Sequence, residues 1–230
     1  MKILAVGFQR SGTTVLKRLM QQLPDVKHFF HELRLLKSHE SKDDIARWLM
    51  HKKGTDIDKV HWGEKVPFYG KNEKQSINYC NKWNRLFLPD ARIIHIVRHP
   101  LCVGISTIEF RPGKLKLNPS IEMHCNHIPK LITHLHENCD NVLQIKYEDL
   151  MQTPLEIMKK ICKFCKLNPD IDHLFSQDDQ DRITMGNQTI VAGRAFRYKT
   201  YPRLDDITVD VKDCIETINK YVEGVPYEVC

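Results

Sequence analysis

The stretch Ile3-Leu4-Ala5-Val6-Gly7-Phe8-Gln9-Arg10-Ser11-Gly12-Thr13-Thr14 decides the fold. A short apolar run ends at Gly7, and Leu16, Leu19, Met20 and Leu23 then recur at helical spacing before Pro24. The order is strand, loop, helix. Gly7 and Gly12 have the G-x-x-x-x-G spacing of a phosphate-binding loop, with Thr13 where such loops carry lysine. Glycines let backbone N–H groups turn toward an anion, and the helix N-terminus beyond them adds partial positive charge. Phosphate binding is therefore expected of the backbone itself.

Working outward, Ile93-Ile94-His95-Ile96-Val97 reads as a buried parallel strand that ends in Arg98. A magnesium-dependent kinase needs a carboxylate near that strand end to hold the metal. A cation there predicts direct binding of a second anionic group, and a kinase-like phosphotransferase is the alternative. Val142 to Ile145 is the next strand. Helices are expected from Ser41, with Asp43 and Asp44 in the first turn, to Gly54, and from roughly Asn72 to Phe87. Further helices follow Pro100, carry Ile121, Cys125, Ile128, Ile132 and Leu135, and run from Thr153 to about Lys166. Thr153-Pro154-Leu155-Glu156 has the form of a capping box with proline at the first position. A last helix turns Val211, Cys214, Ile215, Ile218 and Val222 inward and stops at Gly224, after an irregular polar stretch from Asp170 to Tyr201. Strands alternating with helices predict an α/β fold of three layers, its ligand across the carboxyl ends of a central parallel sheet.

At 230 residues the chain fits a single domain, 1–230, with a substantial core. Hydrophobic residues at 41% and charged ones at 28% exclude a disordered or fibrous chain. A formal charge of +6 with both signs interspersed suits a small anionic ligand. Nucleic acid is not expected as a partner, because neither a reader motif nor a basic stripe with interleaved aromatics is present. No apolar run approaches the roughly 18 residues of a membrane span, and the opening residues lack a cleavage pattern. The 8 irregularly spaced cysteines read as free thiols, which makes the cytoplasm the expected compartment. Cys162 and Cys165, a C-x-x-C on a helix, read as core packing. His124, Cys125, His127, His134, His136 and Cys139 crowd one helix and its end, as metal ligands or as the lining of an acceptor cleft.

Taken together these residues resemble the sulfotransferase family that uses 3′-phosphoadenosine 5′-phosphosulfate, most closely its bacterial and tyrosylprotein members. Arg10-Ser11-Gly12-Thr13-Thr14 is similar to the family's 5′-phosphosulfate loop, and Arg98 with Ser106 eight residues later is similar to its 3′-phosphate motif. Tyr147-Glu148-Asp149-Leu150 followed by Pro154 resembles the element whose tyrosine approaches the adenine. Trp62-Gly63-Glu64-Lys65-Val66-Pro67 looks like the Lys-x-Pro segment, and His31-Glu32 falls where relatives carry a catalytic glutamate. Gly186-Asn187 resembles a late motif near the cofactor, with Arg194 or Arg197 as the loosely matched basic residue after it.

The resemblance implies transfer of a sulfuryl group to an acceptor hydroxyl, without a metal. It implies Glu32 as general base, with His31 as the alternative, and Lys65 and Arg10 as cations on the sulfonate and the departing phosphate. Arg98 and Ser106 are implied to bind the 3′-phosphate without reacting. Glu148 and Asp149 are expected to brace the turn after their strand. The acceptor, a carbohydrate, tyrosine, lipid or small metabolite, is not identified by any of these motifs.

Overall fold

The computed structural model describes residues 1–54, 56–68, 73–110, 112–113, 116–179, 182–186, 188–191, 199 and 206–228. Strand β1 (Lys2–Phe8), buried along its whole length, is the middle of a parallel sheet. It pairs on one side with β3 (His61–Phe68) and on the other with β4 (Ala91–Val97). Strands β2 (Val26–His31) and β5 (Val142–Lys146) form the edges, so that the order is β2-β3-β1-β4-β5. Burial on both faces explains why β1 and β4 read as continuous apolar runs.

Helices cover both faces. Helices α1 (Thr13–Met20), α7 (Tyr147–Gln152) and α8 (Pro154–Phe164) lie on one, where Leu16, Leu19, Met20, Met158 and Ile161 meet Ile3, Ala5, Ile94 and Ile96. The other face carries α2 (Leu35–Ser38), α3 (Lys42–Lys53) and α4 (Glu73–Phe87), where Ile45, Leu49, Trp83 and Phe87 pack on Leu4, Val6 and Ile93. Helices α5 (Pro100–Phe110), α6 (Leu117–Asn138) and α9 (Lys212–Tyr221) close a third cluster around Ile105, Ile121, Ile128, Ile215 and Ile218. Each such aliphatic side chain contributes about 1.5–3 kcal/mol by leaving water, which fixes the helices to the sheet.

The predicted α/β fold with its central parallel sheet is the observed one. Ser41 caps α3, its hydroxyl accepting the Asp44 amide at 3.1 Å, and Gly54 ends that helix with φ 59°. Cys162 and Cys165 are buried in the core. Three expectations need correction. First, β2 and β3 were not foreseen. In β2 only Val26 and Phe29 are buried, as suits an edge, and β3 interrupts its apolar residues with Glu64, Lys65 and Pro67. Second, the polar stretch after Asp170 contains a small antiparallel sheet of β6 (Phe175–Asp179), β7 (Arg182–Met185) and β8 (Gln188–Val191). Third, the capping box at Thr153 does not form. Its hydroxyl donates to the Asp149 carbonyl at 3.3 Å, because α7 ends only one residue earlier and leaves that acceptor within reach. Among the described residues no helix is long and apolar enough to cross a membrane.

Candidate active site

The loop between β1 and α1 is closed by its own backbone. The Gln9 amide donates to the Phe68 carbonyl at 2.9 Å and the Ser11 amide to the Phe8 carbonyl at 3.1 Å. Ser11 is fully buried, and its hydroxyl donates to the same Phe8 oxygen at 2.6 Å, so this side chain holds the loop shut from within. Arg10 and Gly12 take left-handed backbone, with φ 69° and 101°. At Gly12 a side chain is also sterically forbidden, because a Cβ would overlap the ring of Tyr147. The missing Cβ makes room for that ring beside a cavity of about 230 Å³, lined by Arg10, Gly12, Thr13, Thr14 and Val15 from this loop and α1, Arg98 and Ser106 from β4's end and α5, and Tyr147 from α7. Residues drawn from three separate sequence motifs thus share one space.

Two guanidinium groups dominate that space. Arg98 is 5% exposed, donates from Nη1 to the Arg10 carbonyl at 3.1 Å and lies over the Tyr147 ring at 4.4 Å. Arg10 donates from Nε to the Ser106 hydroxyl at 3.2 Å and lies over the Phe110 ring at 4.4 Å. Burial first, and then the neighbouring Arg98, pushes the Arg10 guanidinium below its ordinary pKa. Two cations held together and partly desolvated favour an anion between them. Phe110 was not foreseen, although its place four residues after Ser106 on α5 puts both on one helix face.

On the other side of β1, Lys65 is nearly buried and donates to Glu32 Oε1 at 2.7 Å and to the Thr14 hydroxyl at 3.3 Å. Lys65 stands opposite His31 in the register of β2 and β3, and the Glu32 amide donates to the Lys65 carbonyl at 2.9 Å. Glu32 and Arg34 both take left-handed backbone, with φ 53° and 51°, in the turn that brings the Glu32 carboxylate to Lys65. His31 is mostly exposed, with Nε2 3.5 Å from Glu32 Oε1. Desolvation and then the Lys65 charge hold its imidazole below the ordinary value, so it is neutral at neutral pH.

Glu64, on the opposite face of β3 from Lys65, is a buried carboxylate that the sequence reading left without a role. The Tyr79 hydroxyl donates to it, and the Arg34 and Leu35 amides face it at the start of α2. Burial pushes its pKa up to about 7. The Tyr79 oxygen in turn accepts the Leu36 amide at 3.5 Å. Together they fasten the strained turn that carries Glu32. The signal for it was an acid alternating with Trp62, Val66 and Phe68 on one strand face.

Other expected residues lie elsewhere. Gly186, in the turn between β7 and β8 with φ 56°, is exposed and packs against Gln22, beyond the carboxyl end of α1. That end of α1 is the one away from the phosphate loop, so the structure does not bring Gly186 to the cavity. Asn187, Arg194 and Arg197 lie outside the described residues. Glu148 and Asp149 do brace their turn, but through the far end of the chain: the Tyr227 hydroxyl donates to Glu148, and the Asp149 carboxylate packs against Gly224. In the histidine-rich helix, His127 pairs with the Ser76 hydroxyl at 3.2 Å and His134 with Asn81 at 3.0 Å. His124 packs edge-on to Phe8, ring centres 4.9 Å apart. Among the described residues no three His, Cys, Asp or Glu side chains converge as metal ligands.

The sequence matches the model of the sulfotransferase domain over residues 1–189. The fold is similar to the sulfotransferase domain of the Synechococcus PCC 7002 olefin synthase, with a TM-score of 0.64 at 18% identity, covering 98% of this chain and 96% of that one. It is similar as well to the sulfotransferase domain from the curacin biosynthetic pathway, with a TM-score of 0.50 at 18% identity over 99% and 93% of the two chains. Sulfotransferase STF9 from Mycobacterium avium gives a TM-score of 0.50 at 14% identity, over 96% and 77%. Among curated protein sequences none matches. At such identities the structural likeness speaks for the fold alone, whereas the family match spans the five strands of the parallel sheet, the phosphate loop and the arginine at the end of β4. On that match the chain belongs to the sulfotransferase domain family.

Proposed function

We propose that the protein transfers a sulfuryl group from 3′-phosphoadenosine 5′-phosphosulfate to an acceptor hydroxyl. The observation that carries this reading is the pair of guanidinium groups, Arg98 and Arg10, in a cavity whose described lining residues include no carboxylate. A loop of this shape with a metal-holding acid beside it would suit a magnesium nucleotide, and a second cation suits a further phosphate on the ligand. The cradle also fits, since Gly12 and Tyr147, packed against each other, both line the cavity.

When bound, the donor supplies an activated sulfuryl group whose leaving group is a phosphate. The chain's residues divide the remaining work. The Gly12 and Thr13 amides and the Thr14 hydroxyl hold the 5′ end, Arg98 and Ser106 hold the 3′-phosphate, and Tyr147 borders the nucleoside. Lys65 touches both Glu32 and Thr14, and so stands between the proposed base and the phosphate loop. Its ammonium is the mobile point charge for the departing phosphate, while the Arg10 fork spans two oxygens. Glu32 takes the proton of the acceptor hydroxyl. Its contact with Lys65 supports it over His31, whose ring is largely in solvent. The free cysteines among the described residues, most of them buried, support a reducing compartment such as the cytoplasm.

Calorimetric titration with 3′-phosphoadenosine 5′-phosphate, AMP and ATP tests the reading. The bisphosphate is expected to bind at least tenfold more tightly than AMP, and Arg98→Ala to remove that advantage, a loss of about 1.5–3 kcal/mol for hydrogen bonds to a charged group. Equal affinity for the bisphosphate and AMP, or a magnesium-dependent preference for ATP, replaces it with the kinase-like alternative.

A further inference from the structure

The segment that follows α9 is fastened to the turn that carries Tyr147. Gly224 has φ 126° and lies so close to Asp149 that a side chain would overlap the carboxylate. Lys146, at the end of β5, donates to the Val225 carbonyl at 2.8 Å and to Asn219 Oδ1 at 3.2 Å. Asn219 on α9 closes a ring with Tyr227, donating to its carbonyl at 2.9 Å and accepting its amide at 2.8 Å. Tyr227 is held by this arrangement at 4% exposure, its ring against His99 at 5.1 Å and under the Lys146 ammonium at 4.8 Å. Its hydroxyl donates to one oxygen of Glu148, which is 1% exposed. The other oxygen accepts the His99 amide at 3.3 Å and lies 4.0 Å from Arg98 Nε.

We infer that Tyr227 and Glu148 are positioning residues for Arg98, through which the C-terminal segment sets how strongly the cavity prefers a ligand carrying a 3′-phosphate. The inference rests on the proposed reading of that cavity. At 4.0 Å Glu148 orients the guanidinium without taking up its donors in a tight fork. Tyr227 and the His99 amide hold the carboxylate at that separation. Without the tyrosine hydroxyl, Glu148 is drawn onto Arg98 and competes with the phosphate for the same N–H groups. Without the Glu148 charge, Arg98 recovers rotamer freedom that must be lost again on binding.

The test, at pH 8 where Glu148 is ionised, is calorimetric titration of the full chain and of Tyr227→Phe with 3′-phosphoadenosine 5′-phosphate and with AMP, alongside thermal unfolding. The expected result is a bisphosphate affinity lower by about threefold to tenfold, the ordering cost of one long side chain, with AMP affinity changed by less than about twofold. Glu148→Gln keeps the shape and removes the charge, and it is expected to narrow the preference in the same way. It serves as the second variant should Tyr227→Phe fail to fold. An unchanged preference in the folded variants, or equal weakening of both ligands, overturns the inference and leaves the cavity reading intact. Absence of any preference in the unsubstituted protein overturns the cavity reading itself.

Discussion

Lys65 serves two partners at once, and this makes the residues around it separable by experiment. Glu32 touches Lys65 but does not line the cavity, so removing its charge should affect transfer more than nucleotide binding. Glu32→Gln is expected to lower the initial rate of sulfuryl transfer by about 10² to 10⁴, the usual contribution of a positioned base, with affinity for 3′-phosphoadenosine 5′-phosphate changed by less than about threefold. His31→Ala should cost less than about tenfold in the same radiolabelled transfer assay. The reverse order would make His31 the base. At this scale the sequence was most informative where a residue acts close to its own strand end. Arg10, Arg98, Ser106 and Tyr147 stand in short motifs that resemble those of a known family, and all four meet in the cavity. Glu64 and Glu148 escaped a full reading because each depends on a distant tyrosine, 15 and 79 residues along the chain.

Among the elements, β3 explains both the success and the failure of reading by hydrophobic pattern. Its eight residues include a glutamate, a lysine and a proline, yet all but the first are buried. The pattern hides because each of these two polar side chains is satisfied by another element, Lys65 by Glu32 and Glu64 by Tyr79. By contrast β1 and β4 were recognisable on their own, since both of their faces meet mainly apolar layers. The loop between β1 and α1 tolerates little change at Gly12. Gly12→Ala introduces a Cβ at φ 101° into the Tyr147 ring, combining left-handed strain with overpacking. It is expected to destabilise the fold by about 2 kcal/mol or more, read as a Tm lowered by about 4 °C or more, and to abolish measurable binding of the bisphosphate. A variant that binds normally would show that the backbone there does not face the ligand.

For the molecule as a whole, buried ionisable groups set the response of stability to pH. Burial lowers His95 and His99 to about 4 and His124 to about 3, from the usual 6.5. As the pH falls below about 6.5 the unfolded chain gains protons at these positions that the fold refuses, so stability is lost on acidification. Glu64 and Glu148, raised by burial from the usual 4.5 to about 7, act in the opposite sense. Their contribution is complete below the unfolded value and disappears as the pH rises through about 7. Urea unfolding between pH 4 and 8 should therefore show a shallow decline from about 6.5 to 4.5, where the histidines outnumber the acids, and a steeper one below, where the acids no longer offset them. Glu64→Gln removes one opposing group, and its stability relative to the unsubstituted protein should improve by on the order of 2–3 kcal/mol from pH 5 to pH 8. No such change would mean that Glu64 is ionised in the fold. The order of the sheet has a consequence of another kind. Because β1 lies between β3 and β4, Lys65 within β3 and Arg98 just past the end of β4 are carried by strands two spacings apart, about 10 Å measured across the sheet, and are staggered along the strand direction as well. The sheet thus sets how far apart these two cations stand, and any anion that touches both must span that separation.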